Sequence, residues 1–150
     1  MKKSHKILVA NGVNLDLLGK REPDLYGQED LEMLEKRIME FKSKLEKMYF
    51  CDIELEFFQS NDESVFLEKI AENYDGIVIN PAAWTHTSLA LADRLKAVDT
   101  PYIETHLSNV HAREEFRKHS YTAANAKGVI SGLGFTSYKA ALMALIDIID

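Results

Sequence analysis

Arg21 and Tyr26 stand close together in the sequence and could jointly supply a base, with Pro23 stiffening the turn between them. A phenol in water has a pKa of ~10 and is a poor base at neutral pH. A nearby guanidinium favours the phenolate and lowers that pKa. On this hypothesis Arg21 makes Tyr26 a usable base. The alternative is a tyrosine packed on the surface beside a solvated arginine.

Glu104 and His106 are a second pair whose types suit proton transfer. They lie two positions apart on a predicted strand, so both side chains point to one face of the sheet. A carboxylate beside an imidazole can orient the ring and keep it protonated, which suits a general acid. The alternative is a histidine whose hydrogen bonds are satisfied locally at the end of a strand.

His86 lies between Thr85 and Thr87, just before a predicted helix. Either Thr87 or Ser88 is the expected N-cap residue. Free backbone N–H groups at such a helix start favour a carboxylate or a phosphate, so this segment could bind an anion. The alternative is ordinary capping beside an exposed histidine.

Arg113 and Arg117 have the i, i+4 spacing of residues on one helical face, provided that the segment is helical. Together they could clamp a carboxylate. The alternative is a solvated face shared with Glu114 and Glu115. Asp93 is expected to be a surface acid on a helix, unless a neighbouring subunit places it in a site.

The sequence contains no motif that indicates a metal or a cofactor. His5, His111 and His119 do not have a metal-ligand spacing. There is also no Cys/His cluster, no Walker A loop and no G-x-G-x-x-G motif. We therefore expect neither a metal nor a cofactor.

Hydrophobic periodicity predicts elements that alternate between strand and helix. Strands are expected at 7–10, 53–57, 77–79, 101–105 and 129–131, and helices at 31–48, 66–74, 88–98 and 138–149. This alternation implies right-handed crossovers and a parallel sheet. We expect an α/β fold, a flavodoxin-like three-layer sandwich with five parallel strands in the order 2-1-3-4-5.

The candidate polar residues follow strands 1, 3 and 4, at the carboxyl edge of the predicted sheet. Open parallel sheets bind ligands at this edge, near the topological switch between strands 1 and 3. The loop after strand 1 is long for a connection between a strand and a helix, which usually takes about 2–6 residues. Long ordered loops of this kind are often lids.

Composition limits the function classes. The 150 residues fit a single domain, residues 1–150, and the net charge of −6 argues against nonspecific nucleic-acid binding. Cys51 has no intrachain partner, which suits a reducing compartment, and we expect it to be a small apolar filler near a strand start. No apolar run could span a bilayer or serve as a signal peptide. We expect a cytoplasmic protein with no membrane partner.

Together the motifs resemble those of the type II 3-dehydroquinate dehydratases. The similar segments are residues 11–15, 18–23, 26–27, 79–88, 104–117 and 128–138. They cover nearly the whole chain, in the family's order and spacing. Three positions depart from the expected pattern: Val13 replaces proline, Asp16 replaces asparagine and Trp84 replaces tyrosine.

The resemblance implies an anti elimination of water from 3-dehydroquinate, in the shikimate pathway, without Schiff base, metal or cofactor. Tyr26 would remove the proton from the carbon next to the ketone, and Arg21 would keep Tyr26 deprotonated. The enolate would be stabilised partly through a water held near Asn14. His106, oriented by Glu104, would protonate the departing hydroxyl.

The resemblance also implies which groups hold the substrate. Asn80, His86 and Arg117 would bind its oxygens, and the backbone around Leu107 and Ser108 would bind its carboxylate, with Arg113 beside them. Asp93 would reach a neighbouring subunit's site. The family assembles as a dodecamer, a tetramer of trimers, so we expect a single catalytic domain that forms a homo-oligomer.

A non-catalytic flavodoxin-like binding or assembly module is the competing hypothesis. A flavin binder needs a phosphate loop rich in serine and threonine after strand 1, whereas residues 11–18 are rich in leucine and asparagine. A phosphate receiver needs acids after strand 1, an aspartate after strand 3 and a lysine after strand 5. Asn11, Asn80 and Gly132 occupy those places.

Overall fold

The five predicted strands form one parallel sheet in a computed structural model that describes residues 1–20, 24 and 29–150. The strands are β1 (Lys3–Asn11), β2 (Cys51–Gln59), β3 (Gly76–Asn80), β4 (Tyr102–His106) and β5 (Gly128–Ser131). Their order, β2-β1-β3-β4-β5, confirms the predicted flavodoxin-like topology. Arg21 and Tyr26 lie outside the described residues.

β1 and β2 are longer than the apolar runs that predicted them. Their pairing extends from Lys3 opposite Cys51 to Asn11 opposite Gln59. Backbone hydrogen bonding continues past the apolar residues, because exposed polar side chains do not prevent a ladder from forming. β3 and β4 are buried along their whole length, as expected for central strands of a parallel sheet.

Helices cover both faces of the sheet. They are α1 (Leu31–Tyr49), α2 (Glu63–Ile70), α3 (Trp84–Thr87), α4 (Leu89–Val98) and α5 (Phe135–Ile149). Apolar residues of α1 and α5 pack on one face of the sheet, and those of α2 and α4 pack on the other. This confirms the three-layer sandwich.

Local hydrogen bonds set several helix boundaries. The Asp62 side chain accepts from the backbone N–H of Val65 at 3.2 Å and caps α2. Ile70 ends α2, so Tyr74 lies beyond the helix on which it was predicted, and that boundary was wrong.

Over the described ranges of the chain, the helices lack the combination of length and apolar content that a bilayer span requires.

The segment that carries Arg113 and Arg117 is not one α-helix. Two 3-10 turns, Val110–Ala112 and Glu115–Lys118, lie on either side of an extended Arg113 (φ −111°, ψ −164°). The condition for a shared α-helical face is therefore not met, because the extended residue interrupts the helical path.

Candidate active site

A pocket opens at the carboxyl ends of β1, β3 and β4, where the polar residues were predicted to meet. It encloses about 690 Å³ of empty space, including the solvent at its mouth. Its walls come from the loop after β1, the segment after β3 and the segment after β4. The predicted site residues among its lining are Asn14, Asn80, His86, His106, Leu107, Ser108, Arg113 and Arg117.

Two of the described site residues, Glu104 and Asp93, are not among the residues that line this pocket. Glu104 is fully buried behind His106. Asp93 is exposed on α4 and is not among the described residues that line this pocket. Arg21 and Tyr26 fall outside the described ranges, so the prediction that they form a base pair stays a prediction.

Glu104 and His106 form the buried pair that their alternation on β4 predicted. His106 Nε2 lies 2.9 Å from Glu104 Oε2. An ionised carboxylate only accepts hydrogen bonds, so Nε2 carries the proton and Nδ1 is the ring nitrogen left for a ligand. Burial raises the pKa of Glu104, but hydrogen bonds from His106, Thr122 and Ser120 outweigh it and the net pKa lies below its ordinary value.

Three hydroxyl groups complete this network, and the sequence analysis missed them. Ser120 Oγ donates to Glu104 Oε2 at 2.9 Å, and Thr122 Oγ1 donates to Glu104 Oε1. Thr85 Oγ1 lies 2.8 Å from both of these hydroxyl oxygens. Glu104 therefore accepts three hydrogen bonds, which fixes its orientation and keeps it ionised.

His86 is held as a neutral acceptor. Its Nδ1 lies 2.7 Å from the carbonyl oxygen of His119, which can only accept, so Nδ1 carries the proton. Burial is the largest effect on the pKa of His86, and the net pKa lies below its ordinary value. Its Nε2 thus presents a lone pair, which suits a ligand hydroxyl. Of the two predicted N-cap residues, Ser88 caps α4 by accepting from Leu91 N–H at 2.9 Å.

Asn80 is fixed by a buried network that reaches across the sheet. Asn80 Nδ2 donates to the Tyr138 hydroxyl at 2.8 Å, and Tyr138 donates to Asn11 Oδ1 at 2.6 Å. Asn80 Oδ1 also accepts from the backbone N–H of Ala82 at 3.0 Å. Each amide atom retains further hydrogen-bonding capacity for a ligand.

The backbones after β1 and β3 touch at Gly12. Gly12 N–H donates to Asn80 O at 2.8 Å, and a Cβ at residue 12 would lie 2.4 Å from Pro81 O. Only glycine permits this approach. Two residues further along the chain, Asn14 adopts a left-handed conformation (φ 68°) and donates its backbone N–H to Asn61 Oδ1 at 2.8 Å.

Two arginines give the pocket a cationic wall. Arg113 Nη1 donates to Ser108 Oγ at 3.3 Å, and Arg117 Nε donates to Glu114 Oε2. Both line the pocket although they do not share a helix. Guanidinium groups favour carboxylates, so the site suits an anion that also carries hydroxyl groups, with His106 placed for proton transfer.

The chain is similar to known proteins over almost its whole length. A family model described as "Dehydroquinase class II" matches residues 5–146. The 3-dehydroquinate dehydratase of Helicobacter acinonychis (strain Sheeba) is 48% identical over 148 residues, with 96% of this chain and 86% of that protein covered. The protein of the same name from Pseudoalteromonas translucida (strain TAC 125) is 50% identical over 145 residues, with coverage of 95% and 93%.

Solved structures agree with the sequence comparisons. The type II dehydroquinase from Butyrivibrio crossotus DSM 2876 superposes with a TM-score of 0.87 at 43% identity, covering 95% of this chain and 98% of that one. The type II dehydroquinase from Propionibacterium acnes gives a TM-score of 0.85 at 40% identity, with coverage of 98% and 99%.

Proposed function

The chain belongs to the class II dehydroquinase family, and on that premise we propose that it removes water from 3-dehydroquinate to give 3-dehydroshikimate in the shikimate pathway. The observation that carries this proposal is the buried pair of Glu104 and His106, open to a pocket flanked by Arg113 and Arg117. The pair supplies an acid for the leaving hydroxyl group, and the two arginines supply positive charge for the substrate carboxylate.

The first step of the proposed reaction removes a proton. Tyr26, as a phenolate kept deprotonated by Arg21, takes the proton from the carbon next to the ketone. The electron pair of that C–H bond moves onto the ketone oxygen and forms an enolate. A hydrogen-bonded water near Asn14 stabilises this charge, as preorganised donors do for a developing oxyanion.

The second step expels the hydroxyl group. The enolate electrons return to form the carbon–carbon double bond as the C–O bond breaks on the opposite face. Protonated His106 gives its Nδ1 proton to the departing oxygen, so that water leaves. Glu104 stabilises the imidazolium through its bond to Nε2 and keeps the ring oriented.

The remaining pocket residues bind the substrate. Asn80, His86 and Arg117 hold hydroxyl and ketone oxygens, while the backbone of Leu107 and Ser108, with Arg113 beside it, binds the carboxylate. The lone pair on His86 Nε2 supports a role as acceptor from a substrate hydroxyl. The two guanidinium groups support recognition of an anion.

We also propose a single catalytic domain, residues 1–150, that assembles as a dodecamer in the cytoplasm. Asp93 then serves the site of a neighbouring subunit rather than its own. Its exposed position on α4, away from the pocket of its own chain, supports this assignment.

A turnover assay tests the function. Purified protein mixed with 3-dehydroquinate should produce a near-ultraviolet absorbance from the conjugated enone. His106→Asn should lose most of the rate, whereas Lys44→Gln, an exposed change on α1 away from the pocket lining, should match wild type. Protein treated with substrate and borohydride, and then freed of both, should keep its activity, because no Schiff base forms. Absence of enone with the wild-type protein would refute the proposal.

A further inference from the structure

A group of metal-ligating side chains lies at the amino ends of the strands, at the edge opposite the candidate active site. It consists of His5 on β1, Cys51 at the start of β2 and Asp150 directly after α5. One ligand atom of each residue lies within 4.8 Å of the ligand atoms of the other two. His5 Nε2 and Asp150 Oδ1 are 2.9 Å apart.

The sheet register explains why these residues meet. Lys3 pairs with Cys51 and His5 pairs with Ile53, so His5 and Cys51 point to the same face. That face is covered by α5, whose carboxyl end brings Asp150 to the amino ends of β1 and β2. The ligands come from both ends and the middle of the sequence, so no local spacing reveals them.

Two of the three side chains are buried. Cys51 is fully buried, as expected for a small filler, and His5 is 7% exposed. Within the described ranges, the thiol of Cys51 forms no hydrogen bond, although the imidazole and the carboxylate lie beside it. A thiol, an imidazole and a carboxylate together are the donor set that borderline divalent metals prefer.

The local charge also favours a cation. α1 ends at Tyr49 and α5 ends at Ile149, and helix carboxyl ends carry partial negative charge. The carboxylates of Asp150, Glu46 and Asp52 surround the Cys51 thiol, and the ammonium group of Lys2 opposes their field.

Two lysine side chains also lie near His5, Cys51 and Asp150. Lys2 Nζ lies 3.4 Å from Asp52 Oδ1, and Lys3 Nζ donates to the backbone carbonyl of Asp150. Neither bonds to a ligand atom of the three side chains, so both leave the Asp150 carboxylate available to a metal.

We propose that His5, Cys51 and Asp150 form a binding site for a zinc-like divalent transition metal, separate from the dehydratase site. Ligand atoms around tetrahedral zinc lie ~3.3–3.8 Å apart, given bond lengths of ~2.0–2.3 Å. The three ligand atoms lie within 4.8 Å of one another and close to that spacing when the metal binds, and water completes the fourth position. Binding releases the thiol proton, and the proton of the neutral His5 ring moves to Nδ1 so that Nε2 can bind the metal. The metal then ties the end of α5 to β1 and β2.

Cobalt titration of the full chain tests the site. Metal-free reduced protein titrated with Co²⁺ should develop a thiolate-to-cobalt charge-transfer band that saturates at one equivalent, and Zn²⁺ should abolish the band. Zn²⁺ should also raise the melting temperature, because it binds only the folded state. Turnover of 3-dehydroquinate should not change with or without metal.

Variants separate the proposed ligands from incidental surface binding. Cys51→Ala should remove the charge-transfer band, and Asp150→Asn should weaken binding by at least the roughly 10–100-fold that loss of a supporting group costs. Asp150 is partly exposed, so this variant keeps the test informative if changes at buried His5 or Cys51 impair folding. His111→Gln, an exposed histidine, should bind like wild type. A wild-type protein without the band, or a band retained in Cys51→Ala, would overturn the proposal.

Discussion

At the scale of single residues, the site depends on a carboxylate that never meets solvent. Glu104 is fully buried and accepts from His106, Ser120 and Thr122. An ionised group in such a place is stable only if its hydrogen bonds compensate for lost hydration. Because its pKa is below the ordinary value, Glu104 stabilises the fold at neutral pH and loses that contribution as the pH falls through its folded-state pKa.

Thr122→Val should make the fold more sensitive to acid. Removing a donor to the carboxylate raises the pKa of Glu104, so the free energy of unfolding should begin to fall at a higher pH than in wild type. The measurement is urea unfolding at a series of pH values. Thr122→Ser retains a hydroxyl and should restore the wild-type dependence on pH. An unchanged dependence in Thr122→Val would show that the hydroxyl does not control Glu104.

The sequence predicted the Glu104–His106 pair but not its supporting hydroxyls. Side chains alternate along a strand, so two residues two positions apart point to the same face of the sheet. This local rule was enough to predict that Glu104 and His106 are neighbours. Ser120 and Thr122 belong to an irregular segment, and their types are common everywhere on protein surfaces. Their role depends on where that segment crosses β4, which no local pattern encodes.

At the scale of elements, the close approach of the loops after β1 and β3 determines the position of Asn80 and Asn14. Gly12 lies at the contact, where an added Cβ would collide with backbone atoms of Pro81 rather than with a flexible side chain. Tyr138 on α5 supports the same region from below through its bonds to Asn80 and Asn11.

Gly12→Ala should destabilise the fold and weaken substrate binding. The two backbones must separate, and overpacking of this kind typically costs about 1–3 kcal/mol. Urea unfolding measures the loss, and KM for 3-dehydroquinate should rise because Asn80 moves. Gly128→Ala is the matched control, since its Cβ would meet only Ile103 Cδ1 at 3.7 Å. Equal stability of the two variants would contradict this explanation.

Element types and their order followed from periodicity, whereas some boundaries did not. The alternation of strands and helices was enough to predict the sheet order, because right-handed crossovers leave few topologies. The spacing of Arg113 and Arg117 left open whether the segment from Val110 to Lys118 is helical, because charged residues at helical spacing also suit a pair of 3-10 turns. The backbone of Arg113 decides between these structures, and its conformation depends on contacts outside the segment.

At the scale of the whole molecule, the proposed site needs a residue from a neighbouring copy of the chain. Asp93 is exposed on α4 and is not among the described lining residues of its own pocket. A role for Asp93 in substrate binding therefore requires a neighbouring subunit, and the dodecamer proposed above would supply one. The composition of the chain contains no sign of this, since symmetry between subunits has no local sequence pattern.

Asp93→Asn should reduce kcat/KM by about 10-fold or more, the value of a charge-assisted hydrogen bond across the interface. Asp99→Asn is the control, because Asp99 is an exposed acid directly after the same helix and asparagine tolerates its left-handed backbone. Steady-state kinetics and size-exclusion chromatography should be run together. Full activity of Asp93→Asn in an intact oligomer would remove Asp93 from the site.

In the proposed mechanism a side-chain base removes a proton next to the ketone of 3-dehydroquinate, and this base is Tyr26. The sharpest test compares the initial rate of enone formation by Tyr26→Phe with that of wild type, at equal concentrations of folded protein. We expect a fall in kcat on the order of 10²–10⁴-fold, the usual contribution of a general base. A variant that retains kcat within a few-fold of wild type would contradict it.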